Sequence, residues 1–347
     1  RQSGTKTRCT EGRVSFLRLA VIGAGHLGRI HTRLLASHEQ IAVAGIVDPN
    51  PNACQSISAE FGVPAYSHHL DLANQIDAAI IATPTVYHHQ VALNLIGQGV
   101  HTLIEKPLTH SVQHADALVR AAKDHNVVLQ VGHVERFSPA LSAIKPHLKD
   151  AYFFEASRTS GYTGRSADIG VVLDLMIHDL DVVLSLVQQP VVGIEAVGST
   201  VIGPHEDMAH ARLRFANGAT ANLHASRVSP QAQRTMKAYT SEHAVAIDFS
   251  QLTASLLPLR DTTPHSTWTS QATSGTNNAS SVSPLEIPWT ELTVESNNPI
   301  LEEQRNFLDC IRSSKEPRVT GQQARDAVAI CQQITRQIQA NQLRKVA

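Results

Sequence analysis

Apolar residues fall in two different rhythms along the chain. From Phe16 to about residue 135, short runs rich in Val, Ile, Leu and Ala alternate with segments whose apolar positions return at helical spacing. The runs "FLRLAVI", "IAVAGIVD", "DAAIIATP", "VHTLIEKP" and "VVLQVGH" are nearly continuous, as in strands covered on both faces. Between them "HLGRIHTRLLAS", "YHHQVALNLIGQG" and "SVQHADALVRAAKDHN" read as helices, the second stopped by glycine and the third opened by a serine cap. This alternation predicts an α/β architecture, a doubly wound parallel Rossmann sheet over residues 14–135.

Beyond residue 150 the strands lengthen. "DAYFFEASRTS", "VVGIEAVGST", "DMAHARLRFANGATANLHASRV" and "RTMKAYTSEHAVAIDFS" carry alternating patterns, and Asn217-Gly218 between two such runs predicts a hairpin. The second domain, residues 136–347, is therefore expected to be α+β with a large open, mainly antiparallel sheet. The chain closes with helices at "PILEEQRNFLDCIRS" and "GQQARDAVAICQQITRQIQANQ", for which packing back on the first domain is one arrangement. Residues 1–13 lack the apolar segment of a secretory leader and read as a disordered or incomplete terminus; Asp261 to about Ser283 reads as a polar, mobile loop. An uncovered, partly apolar sheet face is expected to be buried in a homodimer or homotetramer.

Composition narrows the function. The 347 residues have room for about two cores, and 42% hydrophobic with 17% charged residues is ordinary for a globular protein. A net charge of -1 gives no electrostatic basis for gripping nucleic acid or an anionic membrane, and no apolar stretch approaches the roughly 20 residues that span a bilayer. Cys9, Cys54, Cys310 and Cys331 show no C-x-x-C spacing, which fits a reducing cytoplasm. The 19 histidines include the adjacent pairs His68-His69 and His88-His89, but helix neighbours point about 100° apart and no H-E-x-x-H occurs, so no metal site is expected.

The turn after the first strand reads Gly23-Ala24-Gly25-His26-Leu27-Gly28, a full G-x-G-x-x-G between strand and helix. Gly23 serves the tight turn, Gly25 the approach of backbone to a pyrophosphate, and Gly28 the close packing of helix on strand. The helix start offers free N–H groups to phosphate. Asp48, about 20 residues past Gly28, suits the adenosine ribose hydroxyls and would repel a 2′-phosphate, so NAD is expected over NADP. Ligands of doubly wound sheets lie beyond the carboxyl ends of the strands, which adds Thr83, Pro84, Glu105, Lys106 and His133 to the expected cofactor contacts. His26 and Leu27 within the turn and His88 after Pro84 complete that set. Lys106 stands out, because "EKP" pins a cation beside the expected nicotinamide position.

"LDLMIHDLD" (173–181) places charge inside an apolar helix. At about 100° per residue Asp174, His178 and Asp181 share one narrow stripe, with Leu173, Met176, Ile177, Leu180 and Leu184 around it. Asp179 points elsewhere and is expected to reach solvent. Two acids beside an imidazole make either a water-facing stripe or a pKa-tuned site.

Four features in order, "GAGHLG", "ATP", "EKP" and the Asp174/His178 pair, resemble the glucose–fructose oxidoreductase, inositol dehydrogenase and rhizopine-catabolism (Gfo/Idh/MocA) family, from about residue 16 onward. The resemblance implies an NAD-dependent dehydrogenase whose Asp/His helix faces the reacting sugar carbon. His178 would be the general base, Lys106 would stabilise the alkoxide, and Asp174 would orient the imidazole and contact a sugar hydroxyl; either Lys106 or His178 takes the proton first. Arg136 is a substrate contact or a solvated arginine, and Asp181 a structural partner. Within the family, "VGHVERFSPA" and "DIGVVLDLMIHDLD" are most similar to members that oxidise the 3-hydroxyl of UDP-N-acetylglucosamine, feeding a pyridoxal-phosphate aminotransferase in 3-amino lipid A sugar synthesis. Two departures concern the substrate pose: Thr85 stands where many relatives have Asn, and only Gly170 remains of a common glycine run. The resemblance also admits a dehydrogenase of UDP-N-acetylglucosaminuronate, inositol or an aldose, or a non-catalytic NAD-binding regulator. The full Lys106/Asp174/His178 set argues against the last.

Overall fold

The computed structural model describes residues 16–164, 168–259 and 289–346. The expected terminal segment 1–13 and the polar loop from Asp261 lie outside the described residues. The described chain forms two compact units, one running to residue 105 with 120–129, the other taking 106–119 and everything from 130 onward.

Six short strands, β1 (Leu17–Ile22), β2 (Ile41–Val47), β3 (Ala65–Tyr66), β4 (Ala78–Ile81), β5 (His101–Glu105) and β6 (Leu129–Gly132), make one sheet in the order β3-β2-β1-β4-β5-β6. The pairs β1–β2, β2–β3, β1–β4 and β4–β5 are parallel, so the strand order reverses between β1 and β4. All four residues of β4 are fully buried, which explains its uninterrupted apolar sequence. The connecting helices are α1 (His26–Ala36), α2 (Pro51–Phe61), α3 (Thr85–Ile96) and α4 (Val112–Asp124). Gly97 ends α3, and the Ser111 hydroxyl accepts from the His114 N–H at 3.3 Å at the start of α4, as the sequence led us to expect. Helix α2 buries only Cys54 and Ile57, so apolar spacing hardly marks it; Asn50 caps it and Pro51 opens it.

The second sheet has eight strands: β7 (Phe153–Thr159), β8 (Val191–Ser199), β9 (Met208–Phe215), β10 (Thr220–Ser226), β11 (Gln233–Tyr239), β12 (His243–Asp248), β13 (Thr253–Pro258) and β14 (Thr290–Glu291), ordered β14-β13-β12-β11-β7-β10-β9-β8. Every pairing is antiparallel except β7 with β10. The β9–β10 hairpin turns at Asn217-Gly218, where Gly218 takes φ 87° and the Asn217 side chain accepts from the Ala219 N–H. Against this sheet lie α5 (Pro139–Ile144), α6 (Ile177–Val187) and α8 (Gly321–Val346), while α7 (Pro299–Ser313) packs on the turn at Val134–Phe137.

Alternation along β9 and β10 sends Ala209, Ala211, Leu213, Ala221, Leu223 and Ala225 inward, into one core with Ile177, Leu180 and Val183 of α6 and Val328 and Ile334 of α8. Alanines on the sheet allow helices to approach closely, and each large aliphatic side chain so buried contributes about 1.5–3 kcal/mol. The same alternation leaves an outer face that mixes polar and apolar side chains: Val197, 56% exposed, Phe153 and Tyr239 lie on it. Glu195, Arg212, Asn222, Glu155 and Lys237 stand side by side across β8, β9, β10, β7 and β11. Among the described residues no helix is long and apolar enough to cross a membrane.

Candidate active site

In the first unit the glycine turn links β1 to α1. A Cβ on Gly28 would overlap the Gly23 carbonyl oxygen, and one on Gly23 would meet the Ala82 carbonyl oxygen at 2.5 Å, so both positions need glycine for close backbone approach. Gly25 differs: a Cβ there would meet nothing within 4 Å. Gly25, His26 and Leu27 are exposed, and no side chain caps α1. Open space in front of uncapped helical N–H groups fits a dinucleotide pyrophosphate. Asp48 follows β2 and accepts from the Ala24 N–H and the Asn50 N–H, each at 2.8 Å, tying the glycine turn to the end of β2.

Thr83 and Pro84 follow β4, and the buried Thr83 hydroxyl has no hydrogen-bond partner. His88 is 1% exposed and its Nε2 bonds the Thr83 carbonyl at 2.9 Å, bracing the loop that was expected to meet the cofactor. Glu105, the last residue of β5, accepts from His31 Nε2 at 2.8 Å.

In the second unit Lys106 Nζ donates to the Asp174 carbonyl oxygen at 2.7 Å and to Asp174 Oδ1 at 3.1 Å. The helix does not run regularly here. Val172–Met176 form a π-helical turn that leads into α6, and Asp174 lies within it. Such widened turns loosen the backbone hydrogen-bond ladder and recur at functional sites. The expected Asp174–His178 contact does not form: the Asp174 carboxylate pairs with Lys106, and the buried Nδ1 of His178 has no partner. Burial, and then the positive surroundings of Lys106, Arg158, His133 and Arg234, hold the His178 imidazole well below its ordinary pKa. It is therefore neutral near pH 7 and able to accept a proton.

Asp179, expected in solvent, is 1% exposed. Both its carboxylate oxygens accept from Arg158, at 3.1 and 2.9 Å, and Arg158 also donates to Glu135 at 2.8 Å. Burial opposes the charge on Arg158, but the two carboxylates outweigh it and keep the guanidinium cationic. Asp181 is 2% exposed and faces Arg136 at 3.6 Å. Arg136 is thus not a freely solvated side chain; it also donates to the Arg318 carbonyl. Two acid–base links therefore lace the 134–137 turn, which follows buried His133, to α6. Reading the stripe by itself missed Arg158, yet a signal existed: strand alternation puts Arg158 on the same face as buried Phe154 and Ala156.

A third brace holds the approach to this helix. Asp207 accepts from the N–H groups of Val201, Ile202 and Gly203 and from Arg227 Nε, while Arg227 also donates to the Ile169 carbonyl. Burial would raise the Asp207 pKa, but these donors carry it well below the usual carboxylate range.

Residues 17–133 match the family described as an oxidoreductase family with an NAD-binding Rossmann fold, and residues 146–246 match the GFO/IDH/MocA C-terminal domain. A UDP-N-acetylglucosamine 3-dehydrogenase of Acidithiobacillus ferrooxidans is 39% identical over 238 residues, 67% of this chain and 74% of that protein. A scyllo-inositol 2-dehydrogenase (NAD(+)) of Bacillus subtilis is 28% identical over 62% of this chain and 68% of its own. The solved Acidithiobacillus ferrooxidans enzyme has a TM-score of 0.82 at 31% identity, covering 94% of this chain and 98% of its own. A levoglucosan dehydrogenase in complex with NADH and levoglucosan shares the fold, with a TM-score of 0.78 at 18% identity over 93% of this chain and 97% of its own. The chain belongs to the GFO/IDH/MocA family of NAD-binding oxidoreductases.

Proposed function

We propose that this protein oxidises the 3-hydroxyl of UDP-N-acetylglucosamine to the 3-keto sugar nucleotide, with NAD as hydride acceptor. The observation that carries a catalytic reading is the cluster of Lys106, Asp174 and His178: an ammonium held by a carboxylate at 3.1 Å, and an imidazole kept neutral with an unsatisfied buried nitrogen. The substrate is drawn from the 39% identical relative. Bound NAD supplies the carbon that receives the hydride. The chain's own groups handle the proton and the charge. His178 accepts the hydroxyl proton, and Lys106 donates a hydrogen bond to the oxygen as negative charge grows there. Asp174 fixes the Lys106 ammonium through two acceptors, its carboxylate and its backbone carbonyl. This replaces the imidazole-orienting role expected for Asp174.

Oxidation of a secondary alcohol by NAD is uphill near neutral pH, so the ketone must be removed. We assign that step to a pyridoxal-phosphate aminotransferase making a 3-amino sugar for lipid A. We also propose a homodimer or homotetramer joined through the partly apolar outer face of the eight-stranded sheet, where Val197, Phe153 and Tyr239 lie; a monomer by light scattering at micromolar concentration would refute this. The test of function is NADH formation across a panel of nucleotide sugars and polyols. Mass spectrometry with an aminotransferase and glutamate should then show an amino group replacing a hydroxyl, located at C3 by NMR. Rapid NAD reduction by inositol or a free aldose, with none by UDP-N-acetylglucosamine, would overturn the reading.

A further inference from the structure

We infer that Arg158 is a positioning residue for His178: gripped by Asp179 and Glu135, it fixes the first turn of α6 against the turn that follows His133. The inference rests on His178 as the proton acceptor proposed above.

Arg158 is 3% exposed on the inner face of β7. Its Nε and one terminal nitrogen grip both oxygens of Asp179, the residue next to His178. The other terminal nitrogen reaches Glu135, two residues past His133. One rigid fork thus joins three segments, and a lysine, with a single ammonium, lacks that planar geometry. A buried ion cluster is weak grounds for stability, since well-packed apolar residues often replace one without loss. Its charge is nonetheless felt nearby. The groups acting on His178 are Lys106, Arg158, His133 and Arg234, all of which oppose its protonation, while the Asp174 carboxylate is engaged by Lys106. Arg158 both holds the imidazole-bearing turn and helps keep it neutral.

The experiment separates charge from geometry. The His178 ring titration is followed by NMR and assigned by its loss in His178→Asn, so it needs no substrate. Arg158→Met should move the midpoint upward by about one pH unit or more, because an opposing cation is gone and two acids remain. Arg158→Lys should leave the midpoint within about half a unit while lowering kcat about ten-fold or more, with NADH binding unchanged. Turnover is read with whichever sugar the parent oxidises, so a wrong substrate assignment does not mimic failure here. A folded Arg158→Met with an unmoved midpoint would overturn the inference. Should that variant not fold, Arg158→Lys decides: parent-like kcat, whatever its melting temperature, means that Arg158 only supports the fold.

Discussion

Replacing Asp48 with serine tests two roles of one carboxylate. In the structure its oxygens accept from the Ala24 and Asn50 N–H groups, each at 2.8 Å. Serine offers one oxygen on a shorter side chain and keeps at most one of these bonds. A hydrogen bond to a charged group contributes about 1.5–3 kcal/mol, but Asp48 is half-buried and water substitutes in part, so a net loss of about 1 kcal/mol is reasonable. That should lower Tm by a few degrees. For the cofactor, two unit charges about 4 Å apart repel by about 4 kcal/mol at an effective dielectric constant of about 20. Water at a half-buried site should cut this to about 1–2 kcal/mol, or about five- to thirty-fold in affinity. Asp48→Ser should therefore narrow the preference for NAD over NADP by about that factor: NAD loses its ribose acceptor and NADP loses a repulsion. Fluorescence titration with NADH and NADPH, with thermal melts in parallel, reads both effects. Equal affinities in the parent would refute the cofactor role. A drop in Tm with an unchanged NADH/NADPH ratio would leave Asp48 only as a brace for the glycine turn.

Three further outcomes are expected. His178→Asn and Lys106→Met should each cut turnover by about 10²–10⁴ with NADH binding nearly intact; because the His178 pKa is depressed, the acid limb of kcat/KM should fall below the ordinary imidazole value, and a limb near pH 6.5 would contradict this. Gly28→Ala should destabilise the protein, since its Cβ overlaps the Gly23 carbonyl, whereas Gly25→Ala should leave Tm unchanged and weaken NADH binding by filling the open space; the reverse pattern in melts and titrations would exclude a pyrophosphate at Gly25. Asp207 has a lowered folded pKa, so its stabilisation is present above about pH 4, the unfolded value, and fades as pH falls through the folded one. Asp207→Asn should accordingly lower Tm strongly at pH 7 and less at pH 3, and an equal loss at both would mean the carboxylate charge is not what matters.

Local chemistry made much of this protein legible from its sequence. Five near-continuous apolar runs became strands of one sheet because a strand covered on both faces has few polar positions. Gly97, Ser111 and Asn217-Gly218 sit where helix-stop, cap and hairpin chemistry require them. Lys106 could be singled out because "EKP" closes a buried strand. Helix α2 escaped apolar spacing because it buries so little, although its Asn50 cap and Pro51 were visible.

Pairing across distance was not legible. A wheel at a constant 100° per residue put Asp179 in water and Asp174 against His178; the π-helical turn at Val172–Met176 breaks that constant phase. Lys106 lies 68 residues from Asp174, and Arg158 lies 21 from Asp179. Periodicity tells which side of an element a residue occupies, because backbone geometry repeats locally. It says nothing about which charge from another strand will meet it. The sequence by itself therefore determined most of the elements, the glycine turn and the reactive Lys106, Asp174 and His178. Only the tertiary structure decided that Asp174 holds a lysine, that Asp179 is buried on an arginine, and that His178 is neutral, since desolvation and Coulomb interaction depend on distances that folding alone sets.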